Sequence, residues 1–151
     1  MKPGIYLLLT YVILFTSNSV YSQSFEINNQ AIHTLREFYT AYSKIEFTVK
    51  NLHQLDSLQK KYCSLKLRAE LKNEFQTNGL DHDLLTNDHG INSEALKSLT
   101  INNDVGKANG YIVCYLNKTI SAANKPILEK VILHISLTKE NGAFKILYIR
   151  S

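Results

Sequence analysis

The densest group of chemistry-bearing side chains lies between positions 81 and 89, where Asp81, Asp83 and Asp88 stand beside His82, Asn87 and His89. Carboxylates one residue apart on a loop can grip a hard cation through oxygen ligands. The spacing fails the calcium-loop pattern, however. Counted from Asp81, position five is Leu85 and position six is Thr86, where an acid or amide and then a glycine are needed. Counting back from Gly90 puts Leu85 at the first ligand position. The competing use of the same aspartates is structural, accepting backbone N–H groups at turns and helix starts. That use is the expectation, and no metal is assigned. The loop remains the leading candidate for a binding site, because loops carry binding more often than cores do.

The five histidines (His33, His53, His82, His89, His134) are scattered, and no pair has the helical spacing of a zinc protease. Cys63 and Cys114 are the only cysteines; neither sits in a motif with a histidine, and two unpaired cysteines make a poor zinc site. In an oxidising compartment they could close a disulfide around a long loop. Against this, Cys114 falls inside an apolar strand pattern, where a free thiol packs as a small hydrophobe. The sequence has no glycine-rich phosphate loop and no serine in a nucleophile elbow, so no cofactor is expected. Asn117-Lys118-Thr119 is a glycosylation sequon in form only.

Nine tyrosines and no tryptophan suggest another use of polar chemistry. Tyr39 and Tyr42 share a helical face, and Tyr111, Tyr115 and Tyr148 fall on strand patterns. Lining the mouth of a cone, such hydroxyls would suit a small ligand; packed in a core, they would only reach out to polar partners.

The elements that must position these groups change period along the chain. Ile32, Leu35, Phe38, Tyr39, Tyr42, Ile45 and Val49 recur at three- and four-residue spacing, which predicts a first helix from Gln30. Asn51, with Gln54 reaching back, predicts the cap of a second helix edged by Leu52, Leu55 and Leu58. Ser64 predicts the cap of a third, carrying Leu67, Leu71 and Phe75 and stopped at Asn78-Gly79. The period then becomes two. Strands are predicted at Leu99–Ile101, Tyr111–Leu116, Val131–Leu137 and Phe144–Tyr148, with Asn141-Gly142 a hairpin turn and Asn109-Gly110 another. Helices followed by a meander predict an α+β fold: three N-terminal helices packed on a curved antiparallel sheet of about four strands.

Lys2, the apolar run Ile5–Phe15 broken only by Thr10, and Val20-Tyr21-Ser22 have the plan of a secretory signal peptide over residues 1–22. The run is well short of the roughly 20 apolar residues that span a bilayer, so no membrane span is expected after cleavage. Residues 23–29 read as a polar leader and 30–151 as a single domain, exported to the periplasm or secreted. Of 17 Lys+Arg and 13 Asp+Glu, only Lys2 lies in the proposed signal peptide, and the rest alternate in sign, as in Arg68, Glu70, Lys72 and Glu74. That pattern lacks the clustered patch that nucleic-acid binding needs.

Three stretches carry a resemblance: Phe38-Tyr39 through Tyr42; Tyr62-Cys63-Ser64 with Leu67; and Leu80-Asp81-His82-Asp83-Leu84-Leu85 with Asp88. With the closing Gly142-Ala143-Phe144-Lys145-Ile146, they resemble small secreted bacterial proteins of unknown function in the nuclear-transport-factor-2-like, or cystatin-like, superfamily. The resemblance covers most of residues 30–150 and implies helices folded against a sheet that often forms a conical pocket. It assigns no catalytic residue. It departs from the superfamily in one respect, since only Phe47 to Val49 could supply the short strand usual after the first helix.

The functional expectation is an exported, non-enzymatic binding module. It would hold a small apolar ligand in the helix–sheet cavity or a partner protein on the exposed sheet face, with Tyr39, Tyr42, Asp81, Asp83, Asp88, Tyr111 and Tyr115 as candidate ligand contacts. Two alternatives stay open. One is a small pocket enzyme of isomerase or cyclase type, with His134 or Asp83 as a carboxylate or imidazole tuned by desolvation. The other is a secreted inhibitor or immunity protein.

Overall fold

The computed structural model describes residues 25–45, 48–79, 83–86, 90–120 and 124–151. The proposed signal peptide, and with it Asp81, His82, Asn87, Asp88 and His89, lies outside them. The chain divides into two units, 1–33 and 34–151. In the first, residues 25–33 are helical, so helix begins within the expected polar leader. Everything below concerns the second.

Helix α1 (34–42 in this unit) ends earlier than its apolar stripe suggests. The Lys44 and Ile45 amides donate to Ala41 and Tyr42 in tight three-residue turns, and the Ser43 hydroxyl donates to the Thr40 carbonyl. Hydroxyl-to-backbone bonds of this kind compete with helix continuation. A single 3-10 turn, Val49–Asn51, then leads into α2 (Leu52–Tyr62). Because Asn51 belongs to that turn, with φ −100° and ψ 5°, it lacks the extended backbone an N-cap needs, and the expected capping bond is not made. Ser64 does have that backbone (φ −65°, ψ 160°), and its Oγ accepts from the Leu67 amide at 3.2 Å to cap α3 (Leu65–Asn78). Gly79, at φ 67°, ends α3.

The sheet is a four-stranded antiparallel meander in the order β1 (Thr100–Asn103), β2 (Gly110–Ile120), β3 (Pro126–Glu140) and β4 (Ala143–Arg150). Asn141 and Gly142 take φ 52° and 79°, the left-handed pair a two-residue hairpin requires. In the β1–β2 connection Asn109 is also left-handed, at φ 56°. Gly110 follows where a Cβ would stand 2.7 Å from Lys107 Cβ. Leu147 is the extra residue of a β-bulge, since Ser136 pairs with Tyr148 but Leu137 with Ile146.

The architecture is α+β as expected, but the helix count of three N-terminal helices is corrected. Among the described residues there are four α-helices, α4 (Ser93–Lys97) falling between α3 and the sheet in sequence and capped by Asn92 Oδ1 accepting from the Glu94 and Ala95 amides. Among the described residues none forms a strand between α1 and α2, and no helix is long and apolar enough to cross a membrane.

The core lies between the helices and one sheet face. Leu35, Phe38, Tyr39 and Tyr42 of α1, Tyr62, Leu67 and Leu71 meet Tyr111, Val113 and Tyr115 of β2, Val131, Leu133, Ile135 and Leu137 of β3, and Ile146 of β4. Phe38 is the aromatic centre, with its ring centroid 5.0 Å from Tyr39, 5.5 Å from Tyr42 and 5.7 Å from Tyr62. Between α2 and α3 the extended pair Cys63–Ser64 docks on the outer edge of β4. Cys63 bridges to Ile146, and the Ser64 amide donates to the Ile146 carbonyl at 2.9 Å. The Lys145 ammonium donates to the Lys60 and Lys61 carbonyls, placing a cation at the negative end of α2.

Candidate functional site

Asp83 is the one aspartate of the sequence cluster among the described residues, and it is buried. Its Oδ1 accepts from the Leu85 amide at 3.0 Å, closing an Asx turn. Its Oδ2 accepts from the Tyr42 hydroxyl at 2.7 Å and from the Thr86 hydroxyl. Two further tyrosines clasp the same turn by its carbonyls: Tyr39 of α1 donates to Leu85 O at 3.1 Å, and Tyr115 of β2 donates to Thr86 O at 2.7 Å. Three tyrosines from a helix and a strand thus hold residues 83–86 inside the molecule. Burial, reinforced by neighbouring groups that include the Asp83 carboxylate, pushes the Tyr39 and Tyr42 phenols well above their ordinary range. They remain neutral donors.

This arrangement redefines the candidate residues. Tyr39, Tyr42 and Tyr115 do not line a mouth; they are fully buried, and their hydroxyls serve the loop. Tyr111 is buried as well. A general base needs an oxygen facing substrate, whereas the Asp83 oxygens face donors from within the protein. The hydrogen bonds described for this cluster are structural.

The second enzymatic candidate, His134, stands on the opposite sheet face. Its neighbours in β3, Leu133 and Ile135, point to the core. Its Nδ1 lies 3.3 Å from Asp104 Oδ2, and its side chain is 40% exposed. That contact holds the Asp104 carboxyl below its usual range, helped by the Gly106 amide. Lys107 approaches the same oxygen at 3.9 Å, so Asp104 organises the β1–β2 turn. Among the described residues no group of three metal-ligating side chains converges.

The disulfide expectation is overturned, because both cysteines are free. Cys114 pairs with Thr100 and Ile132 in β2, on the face opposite Val113 and Tyr115, whereas Cys63 sits beyond the outer edge of β4. Three inter-strand steps of about 4.8 Å separate them, too far for Cα atoms that must approach within roughly 7 Å. Burial pushes the Cys63 thiol up to about 12.

The feature that strand periodicity did not reveal is the length of the central ribbon. β1 covers β2 only over Tyr111–Cys114, and β4 covers β3 only from His134 onward. Past those limits the β2–β3 pair continues as a two-stranded arm, registered from Tyr115 opposite Val131 to Ile120 opposite Pro126. The outward face of the sheet and arm carries Ile112, Cys114, Leu116 and Ile120 from β2, Leu128 and Ile132 from β3, and Tyr148 from β4. Leu128 is 69% exposed and Ile120 73%; Leu116, Ile132 and Tyr148 are each exposed by more than two fifths. Contiguous exposed apolar side chains of this kind mark interaction surfaces.

No family model matches the chain, and no curated protein matches it. Among solved structures, a protein of unknown function from Bacteroides thetaiotaomicron is similar, with a TM-score of 0.73 and 20% identity over 89% of this chain and 99% of that one. That likeness shows the fold, a small α+β domain. A chain of the type VI effector-immunity complex Tae3-Tai3 from Ralstonia pickettii matches at a TM-score of 0.45 and 14% identity, covering 82% of this chain and 93% of its own. Such a distant likeness carries no functional inference.

Proposed function

We propose that this chain is a non-catalytic, exported module that binds a partner protein through the outward face of its sheet. The observation that carries this reading is the apolar series Leu116, Ile120, Leu128, Ile132 and Tyr148, exposed on one face and flanked by polar side chains. A face of this composition loses little by binding and gains by excluding water. The interior supports the same reading from the other side. Tyr39, Tyr42 and Tyr115 are fully buried, and their hydroxyls donate to the Leu85 carbonyl, the Asp83 carboxylate and the Thr86 carbonyl, which favours a surface over a ligand-holding cone. An inhibitor or immunity protein acting outside the cytoplasm is one form that such a module takes, since it needs only a complementary surface.

The test is site-specific photo-crosslinking in cells of the native host, with benzoylphenylalanine placed at Leu128 on the outward face or at Lys72 on α3. A discrete protein adduct from position 128, lost when Ile132→Asp is added, is the expected result. Adducts only from position 72, or a small molecule that co-purifies stoichiometrically, would overturn the reading.

A further inference from the structure

The free edge of the arm specifies how such a partner is held. From Pro126 to Leu133, no strand among the described residues pairs with β3 on the side where β4 pairs later. The opposite edge of the arm is partly closed, because the Leu116 amide donates to Ser98 Oγ at 2.8 Å. An uncovered strand presents alternate N–H and C=O groups to whatever extended chain approaches it.

The charges of the arm select among occupants. Along β2 and β3 beyond the cover of β1 and β4, the charged residues are Lys118, Glu129 and Lys130. Strand alternation puts Lys118 and Lys130 on the outward face with Leu116, Leu128 and Ile132. It puts Glu129 on the opposite face, across from Asn117. The outward face of the arm is therefore apolar and cationic with no carboxylate of its own. A second copy of the chain fits this edge badly. Two identical antiparallel strands related by a two-fold axis normal to the sheet set residues of like parity opposite each other. Within Pro126–Leu133 Glu129 then meets Glu129 or an apolar residue, and never Lys130; the register that reaches back to Lys125 sets a cation opposite Glu129 but is short and runs through Pro126, which has no N–H to pair.

We infer that β3 takes an extended acidic segment of the partner protein as an added strand along Pro126–Leu133, with a partner carboxylate opposite Lys130 and apolar partner side chains opposite Leu128 and Ile132. The inference rests on the protein-binding reading above and deepens it. The main chain supplies the pairing, the apolar side chains extend the outward face by one strand, and Lys130 sets the register.

The experiment uses the full chain, isotopically labelled, and a palindromic probe peptide, acetyl-Thr-Val-Thr-Asp-Thr-Val-Thr-amide, whose symmetry makes strand direction immaterial. Amide shifts confined to Ile127–Leu133 and their β2 neighbours are expected. A peptide with lysine in place of the central aspartate should bind about fivefold more weakly, the scale of a cross-strand charge pair turned repulsive. The exposed substitution Lys130→Glu should invert that preference while leaving the rest of the spectrum unchanged. N-methylation of alternate peptide amides on the pairing edge should abolish binding. Binding that survives N-methylation on either edge overturns strand addition, yet leaves docking on the sheet face to the crosslinking test. Equal binding of both peptides, or no shift at 50-fold peptide excess, also overturns it. So does a dimer by sedimentation that dissociates in Lys130→Glu.

Discussion

Replacing Asp83 with alanine tests whether the 83–86 turn is a structural joint. The carboxylate accepts from the Tyr42 hydroxyl, the Thr86 hydroxyl and the Leu85 amide, and Asp83, Tyr42, Leu85 and Thr86 are all buried. A buried donor left without its acceptor costs about 1–3 kcal/mol. Three such donors set an upper bound near 9 kcal/mol, from which relief of burying a carboxylate subtracts several. The expected loss is roughly 3–5 kcal/mol, the three unpaired donors less that relief. Tyr42→Phe removes one donor and leaves the others, and it should cost about 1–2 kcal/mol. Urea unfolding of the full chain, followed by far-ultraviolet circular dichroism, measures both, with the urea dependence expected to stay unchanged. In the Asp83→Ala background Tyr42→Phe should cost less than alone, by about 1 kcal/mol or more, because the two groups share one bond. A loss below 1 kcal/mol for Asp83→Ala, with additive doubles, would refute the reasoning. The turn would then be held by its clasped carbonyls alone, and Asp83 would again be eligible for chemistry.

Other outcomes follow from the same structure. Thiol titration should find two reactive cysteines in the denatured chain whatever the purification conditions, with Cys114 alkylated in the native protein and Cys63 only on unfolding, since its pKa is pushed up to about 12 by burial. Tyr39 and Tyr42 keep their protons in the folded state to higher pH than in the unfolded chain, where phenols ionise near 10.0. Their contribution to stability is therefore complete below that pH and is lost as pH rises toward the folded-state values, so a urea midpoint flat across neutral pH should fall above about pH 10. Gly110→Ala places a Cβ 2.7 Å from Lys107 Cβ and should cost about 1–3 kcal/mol by forcing the turn to shift, whereas at Gly106 the nearest atom is the Asp104 Oδ1 at 3.9 Å, and Gly106→Ala should lower the melting temperature far less.

Much of this architecture was legible from residue spacing because its signals are local. Ser64, Gly79 and Asn141-Gly142 each act within a few positions, and the inward residues of β3 alternate cleanly. The failures have physical reasons. Asn51 carries a capping side chain, but the 3-10 turn before it sets the wrong backbone. α4 is only five residues long, too short for a hydrophobic period, although Asn92 followed by Glu94 is a cap signal that could have been read. The turn-capping use of Asp83 was local enough to read, but its burial was not, because its other partners are remote: Tyr42 is 41 positions away, and Tyr115 lies 29 positions from Thr86. No local pattern pairs such residues. The arm was missed for a different reason. From Leu116 to Ile120 the outward face mixes Lys118 with Leu116 and Ile120 while the inward face holds only the polar Asn117 and Thr119, so the apolar-in, polar-out alternation that defines a half-buried strand is absent.

The Cys63–Ser64 corner on β4 has a consequence for how the chain comes into being. Lys60 and Lys145, whose backbone and side chain meet there, are 85 positions apart, and Tyr39 reaches Leu85 across 46. The whole sheet is encoded after position 99, so a nascent chain exposes the apolar stripes of α1 and α3 with nothing to bury them against until its last strand is made. The helical half thus lacks its packing partner throughout synthesis and leaves apolar surface prone to aggregation until the sheet is made. The final eight residues of β4 close the helices and the sheet together.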